Sequence, residues 1–208
     1  MAIDPKTVLC SESITPDRPL LVFLHGRGAD EADLAGIVPF LPRKPVIASL
    51  RAPISEGPGF SWYPMNAPER ATAFSPDVKR AVRAVLDWID AQARPRAIGL
   101  LGFSQGGAIA IELMRERPLG FAFAIVLSGF VIDGDRSGDA ELERIRPPVF
   151  WGRGFRDPVI PDNRIEQTSA WLPGHSTLEE KTYDTGHSIT ESELADVSAF
   201  VEAHFPRG

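Results

Sequence analysis

Leu100-Leu101-Gly102-Phe103-Ser104-Gln105-Gly106-Gly107 is the stretch on which the reading of this chain turns. An apolar run, Ala97 to Leu101, leads into it as a buried strand does, and a helix-compatible run, Ala108 to Glu116, leads out. Between them, Gly102-x-Ser104-x-Gly106 has the strand–turn–helix setting that makes the Gly-x-Ser-x-Gly pattern informative. A turn this sharp crowds its own backbone, so its flanking positions need residues without a Cβ. The serine hydroxyl is then lifted above the sheet, where a base can reach it. Taken alone, the pattern is also that of an ordinary glycine-rich turn, so the rest of the chain has to decide.

Outward from this turn, apolar runs alternate with helical patterns. Thr7 to Cys10 reads as a short first strand. Leu20-Leu21-Val22-Phe23-Leu24 is an unbroken apolar run of the kind found in strands covered on both faces. Asp33 to Leu41 reads as a short helix and Val46 to Leu50 as the next strand. Arg51 to Ser75, with four prolines and four aromatics, is too long and irregular for a simple connection. Ser75-Pro76-Asp77 carries a helix start, with Ser as cap, Pro at the first position and an acid in the first turn. Val78, Val82, Val85 and Ile89 then form one apolar stripe. Phe121 to Leu127, Val149 to Trp151 and Thr177 to Tyr183 read as further strands. Pro161 opens a helix carrying Ile165, Thr168 and Leu172, and Thr190-x-x-Glu193 is a capping box for a final helix. Such alternation implies an α/β fold, a mostly parallel central sheet with helices on both faces. No insertion is long enough for a separate lid domain, and residues 1–208 are expected to form a single domain.

Bulk properties narrow the function classes. The chain has 208 residues, 43% apolar and 24% charged, and a formal net charge of −6. That charge argues against a nucleic-acid binder and against adsorption to anionic membranes. No apolar run reaches membrane-spanning length, so no membrane insertion is expected. Met1 to Lys6 contains no basic segment followed by an apolar core, and the single Cys10 cannot form an internal disulfide. Both fit a cytoplasmic protein. No Cys/His cluster or His-Glu-x-x-His motif suggests a metal site, and no cofactor is implied. The oligomeric state, monomer or homodimer, is left open.

In a parallel sheet every strand's carboxyl end lies on one edge, and ligands bind there. The polar residues that follow strands are His25 and Arg27, Ser104, Asp133 and Asp135, Asp157, and His187. Serine hydroxyls are weak nucleophiles at neutral pH and need a base beside them. Four histidines compete for that role. His204 lies late in the last helix and is expected to be solvated. His175 precedes the last strand, at the opposite edge, and His25 is expected to brace the serine turn. His187, after the last strand, is the preferred base. Asp157, one unit before it, is the preferred acid over Asp133 and Asp135, which also read as a solvated turn. The oxyanion needs two backbone donors, for which the amides of Gln105 and Arg27 are placed. Trp62, Phe60, Met65, Phe74 and Phe130 are candidates for a substrate pocket.

The order Ser, Asp, His is that of α/β-hydrolases. Leu24-His25-Gly26-x-Gly28-x-Asp30, Gly102-Phe103-Ser104-Gln105-Gly106-Gly107, Asp157-Pro158-Val159-Ile160-Pro161 and Gly186-His187-Ser188 together resemble the phospholipase/carboxylesterase family, over residues 18 to 205. The resemblance implies an α/β-hydrolase fold, a Ser104–Asp157–His187 triad, and oxyanion donors at Arg27 and Gln105. It also implies a Ser61-Trp62 segment beside the substrate cleft, and an enzyme acting on carboxylic esters; with no insertion long enough for a lid, small or medium esters are expected. Acyl-protein thioesterase or lysophospholipase activity is the nearest alternative, and a non-catalytic ligand-binding protein on the same fold is the alternative of a different class. Arg27 departs from the family pattern, which carries an apolar residue there.

Overall fold

The computed structural model describes residues 1–65 and 75–205. Its strands are β1 (Leu9–Cys10), β2 (Leu20–Leu24), β3 (Val46–Leu50), β4 (Ile54–Glu56), β5 (Gly59–Ser61), β6 (Ile98–Phe103), β7 (Phe123–Leu127), β8 (Pro148–Gly154) and β9 (Thr177–Tyr183). The helices are α1 (Pro76–Asp90), α2 (Gln105–Glu116), α3 (Asp139–Ile145), α4 (Asp162–His175) and α5 (Glu191–His204). Seven strands form one sheet in the order β1-β3-β2-β6-β7-β8-β9. All neighbours run parallel except β1, which pairs antiparallel with β3. The segment from Arg51 to Ser75 contains a small antiparallel hairpin, β4–β5, rather than bare loop.

The all-apolar run of β2 is explained by burial on both faces. Leu20, Val22 and Leu24 enter one core with α1 and α2. Leu21 and Phe23 enter a second core with Val197, Phe200 and Val201 of α5 and with Leu34 and Ile37 of a 3-10 helix, Asp33–Phe40. The sheet is thus covered on both sides, as expected. Helix α3 was not legible in the sequence: it has seven residues and buries only Leu142, so it carries no apolar stripe. It is instead tied to α2 by buried ions. Arg115 of α2 donates to both Asp139 oxygens (2.7 and 2.6 Å), to Glu112 Oε1 (3.0 Å) and to Ile132 O (2.9 Å). Arg136 Nε donates to Glu112 Oε2 at 2.8 Å. This network fixes the segment that follows β7.

The turn between β6 and α2 is as crowded as its glycines imply. Ser104 has φ +53°, in a region L residues rarely adopt. A Cβ on Gly106 would lie 1.9 Å from Leu24 O, and one on Gly102 would lie 2.2 Å from Gly106 O. The first turn of α2 therefore rests directly on the backbone ends of β2 and β6. Adding the single methyl of Gly106→Ala should destabilise the protein by about 3 kcal/mol or more, since backbone and not a flexible side chain must yield. Gly36→Ala, where a Cβ meets nothing within 4 Å, should stay within about 0.5 kcal/mol of the parent. Denaturant unfolding of the two variants checks the contrast.

The capping box of α5 forms, with Glu193 N donating to Thr190 Oγ1 at 3.1 Å. Glu193 itself is 1% exposed, and its Oε1 has no hydrogen-bond partner. Burial pushes its carboxyl up to about 7, against an ordinary value of 4.5. Below pH 4.5 the acid is protonated in both folded and unfolded chains. Between 4.5 and 7 only the folded chain holds the proton, so stability is lost as pH rises through that window. Glu193→Gln should gain on the parent by on the order of 3 kcal/mol across that window and no further above it, read from chemical denaturation as a function of pH.

Candidate active site

The carboxyl edge of the sheet gathers the residues singled out above from four separate strands. The end of β6 delivers Ser104, whose amide donates to Leu127 O at 2.8 Å, locking the turn to the end of β7. The loop after β8 delivers Asp157 and the loop after β9 delivers His187. The two loops are stitched together: Phe155 N donates to Tyr183 O (3.0 Å) and Arg156 N to Thr185 O (3.1 Å). Gly154 makes the approach possible, because a Cβ there would lie 2.1 Å from Gly186 O.

His187 Nδ1 donates to Asp157 Oδ2 at 2.6 Å, across 30 residues of sequence. The Asp157 side chain is 2% exposed and that of His187 17%. The second oxygen of Asp157 accepts from Val159 N (2.8 Å) and Ile160 N (3.3 Å), so the carboxylate is held in place before it orients the imidazole. The Phe103 ring, at 4.8 Å between centroids, supports the imidazole from the sheet side. Ser104 and His187 line one cavity of about 510 Å3, a size suited to a small-molecule ligand. Among the described residues no hydrogen bond joins the Ser104 hydroxyl to the imidazole.

The remaining histidines lie away from this cavity. His25 is fully buried; its Nε2 accepts from Ala52 N at 3.0 Å, which leaves the proton on Nδ1 to donate to Gly26 O at 2.7 Å. Burial lowers its pKa, in keeping with a neutral ring. It ties the end of β2 to the chain after β3 rather than bracing the serine turn. His175 stacks on Trp171. His204 is half-buried against Phe200 rather than solvated, because its Nδ1 bonds Phe200 O at 2.9 Å. Asp133 bonds Gln167 and Asp135 is exposed, so neither acid meets His187.

Arg27 and Gln105 both line the cavity. Gln105 is the first residue of α2, where a backbone N–H has no acceptor within the helix. Its side chain clamps the chain just after the β4–β5 hairpin: Oε1 accepts from Trp62 N and Nε2 donates to Tyr63 O, both at 2.8 Å. Met65 and Phe130 line the cavity as expected. Trp62 does not. It is fully buried in the main core, where its indole N–H donates to His25 O at 2.8 Å. Phe60 also lies off the cavity, under the Arg51 guanidinium at 4.5 Å, with its backbone paired to Gly28 and Ala29. Phe74 lies outside the described residues. Sequence reading missed Phe103, Val159, Ile160, Pro161 and Arg164 on the cavity wall. Arg164 left one signal: it is a cation in the first turn of a helix, where the dipole disfavours it.

Among the described residues no three side chains able to ligate a metal gather, and no helix is long and apolar enough to cross a membrane. A family model described as phospholipase/carboxylesterase matches residues 6–205. Acyl-protein thioesterase 1 of Saccharomyces cerevisiae is 25% identical over an alignment covering 91% of this chain and 94% of its own. A probable carboxylesterase of Oryza sativa subsp. japonica is 26% identical, covering 90% and 89%. The crystal structure of the Bacillus cereus carboxylesterase superposes with a TM-score of 0.79 at 18% identity, covering 95% of this chain and 94% of its own. With the family model spanning almost the whole chain and the sheet topology in agreement, the protein belongs to the phospholipase/carboxylesterase family of α/β-hydrolases, enzymes that cleave ester or thioester bonds.

Proposed function

We propose that this protein hydrolyses carboxylic esters of small or medium acyl groups, with Ser104 as nucleophile, His187 as base and Asp157 as the residue that orients it. The observation that carries the reading is the 2.6 Å Asp157–His187 hydrogen bond, formed on the rim of the same cavity that the strained Ser104 turn enters. Bonded at Nδ1 to Asp157, the neutral imidazole offers Nε2 as the acceptor. Nucleophile–base contacts are often long in the free enzyme and tighten in the substrate complex.

Ser104 Oγ attacks the ester carbonyl while His187 Nε2 takes the hydroxyl proton. The carbonyl oxygen, now negative, is held by the backbone N–H groups of Arg27 and Gln105. The tetrahedral species collapses, the C–O bond to the alcohol breaks, and His187 returns its proton to that alcohol. Water, deprotonated by His187, then attacks the acyl-serine, and the acid leaves with Ser104 restored. No other reactant is consumed. Thioesters follow the same path with a thiol as leaving group. The acyl-protein thioesterases among the relatives favour that second reading, with acylated peptides as substrates. Lysophospholipids are a further ester class within the same chemistry.

Ser104→Ala should fold as the parent does and lose at least about a thousandfold in kcat on a short p-nitrophenyl ester. A fluorophosphonate probe should label the parent at Ser104 and leave the variant unlabelled. Retained turnover in the variant, or a parent that does not label, overturns the mechanism in favour of a non-catalytic ligand-binding role. Comparing kcat/KM on matched esters and thioesters of rising chain length separates the two substrate readings.

A further inference from the structure

We propose that His25 is a positioning residue of the oxyanion hole: its ring orients the peptide group that joins Gly26 to Arg27, and so aims the Arg27 N–H into the cavity. This rests on the reading of Ser104 as the nucleophile and of the Arg27 N–H as an oxyanion donor.

A peptide group is planar and trans, so its C=O and N–H point in opposite directions. Gly26 and Arg27 line the cavity, while the carbonyl of Gly26 meets the fully buried His25 ring, whose Nδ1 donates to it at 2.7 Å. The other ring nitrogen settles the tautomer. Nε2 faces the Ala52 N–H at 3.0 Å, and a backbone N–H can only donate, so the ring proton sits on Nδ1. With the carbonyl held toward the core, the Arg27 N–H at the far end of the same plane is directed outward. Among the described residues no backbone carbonyl accepts it.

The restraint matters because the backbone supplies little of its own. Gly26 has no Cβ, so turning the peptide about it meets weak resistance. Ala29 N, which closes a tight turn over Arg27 and Gly28, reaches the same Gly26 oxygen only at 3.3 Å. The His25 ring is itself fixed, by the Ala52 N–H and by the Trp62 ring at 5.5 Å between centroids. The His25 carbonyl takes the Trp62 indole N–H at 2.8 Å, which holds the residue's backbone as well. A buried, immobile donor thus sets a plane that the turn would leave loose. The Gln105 donor needs no such aid, because the start of α2 orients its N–H along the helix.

The test uses two variants that each keep one end of the ring's bonding. In His25→Asn the amide nitrogen takes the place of Nδ1 and still donates to Gly26 O. In His25→Gln the side chain reaches as far as Nε2 and accepts from Ala52 N, with no donor left for Gly26 O. On p-nitrophenyl butyrate, His25→Gln should lose about tenfold or more in kcat with KM within about twofold of the parent. A trifluoromethyl ketone, whose adduct on Ser104 carries the oxyanion, should bind it more weakly by a similar factor. His25→Asn should recover most of both losses. Equal losses in the two variants, or a loss confined to KM, overturn the proposal, since a purely structural histidine gives those results. Arg27→Pro supplies a second arm. It deletes the N–H at a turn position that suits proline, just before Gly28 at φ +80°. In that background His25→Gln should cost almost nothing further in kcat, and a full additional loss overturns the proposal. Should the His25 variants not fold, the parent serves. On forming the ketone adduct, the Arg27 amide proton and the His25 Nδ1 proton should move downfield together in NMR, coupled through one peptide group. An Arg27 shift without a His25 shift overturns the proposal. A parent that neither turns over the ester nor labels with fluorophosphonate ends the hydrolase reading and this proposal with it. An active, labelled parent in which Arg27→Pro matches Arg27→Ala ends the Arg27 donor assignment and this proposal, and leaves the hydrolase reading intact.

Discussion

Gly106 packs onto the carbonyl of Leu24 with no room for a side chain, and the remainder of the site is arranged around that contact. It sets how close α2 comes to the ends of β2 and β6, and so where Ser104 is lifted above the sheet. The same closeness brings the amides at the start of α2 beside the loop that follows β2. A looser helix would separate Gln105 from Arg27 and leave Ser104 in a relaxed conformation. The positive φ at Ser104 is the strain this arrangement stores, held by the Ser104–Leu127 backbone bond on one side and the continuing helix on the other.

Around that fixed point, the sheet acts as a ruler. Parallel strands end on one edge, so residues 50 and 80 positions apart in sequence meet at one rim. Gly154 repeats the device used at Gly106, letting the end of β8 touch the loop after β9 so that Asp157 can reach His187. Polar clamps complete the frame. The Gln105 side chain carries Trp62 and Tyr63, and His25 joins the exits of β2 and β3. The buried Arg115–Glu112–Asp139 cluster anchors the chain beyond β7, from which Phe130 enters the cavity wall. Removing one ion from such a cluster leaves its partner charged and unpaired, which is why it holds a segment with so little apolar surface of its own.

Charge is distributed unevenly over the site. The negative charge of Asp157 is taken up by His187 and two backbone amides. That of Glu56 is taken up by Arg27. Arg27 and Arg164 both line the cavity, in a protein whose formal net charge is −6. The overall charge of a chain thus does not say which charged side chains line a cavity.

Much of this was readable in the sequence because it rests on local rules. Alternating apolar runs and capped helices gave the layer order. Glycines around Ser104 announced the crowded turn, and the strand-end positions of Ser104, Asp157 and His187 followed from the common edge of a parallel sheet. Where reading failed, the deciding contacts were between distant segments. Trp62 looked like a pocket residue, yet its indole N–H finds its acceptor in His25 O, inside the core. Helix α3 has no apolar stripe and exists through ions contributed by α2. Arg164 carries no motif, and only the packing of α4 against the chain after β7 brings it to the cavity wall. Sequence alone determined the fold class and which residues could do chemistry, because periodicity and backbone crowding are properties of neighbours along the chain. Tertiary structure alone decided which side chains face the cavity and which charges are paired, because burial and electrostatic pairing depend on segments that the sequence does not place side by side.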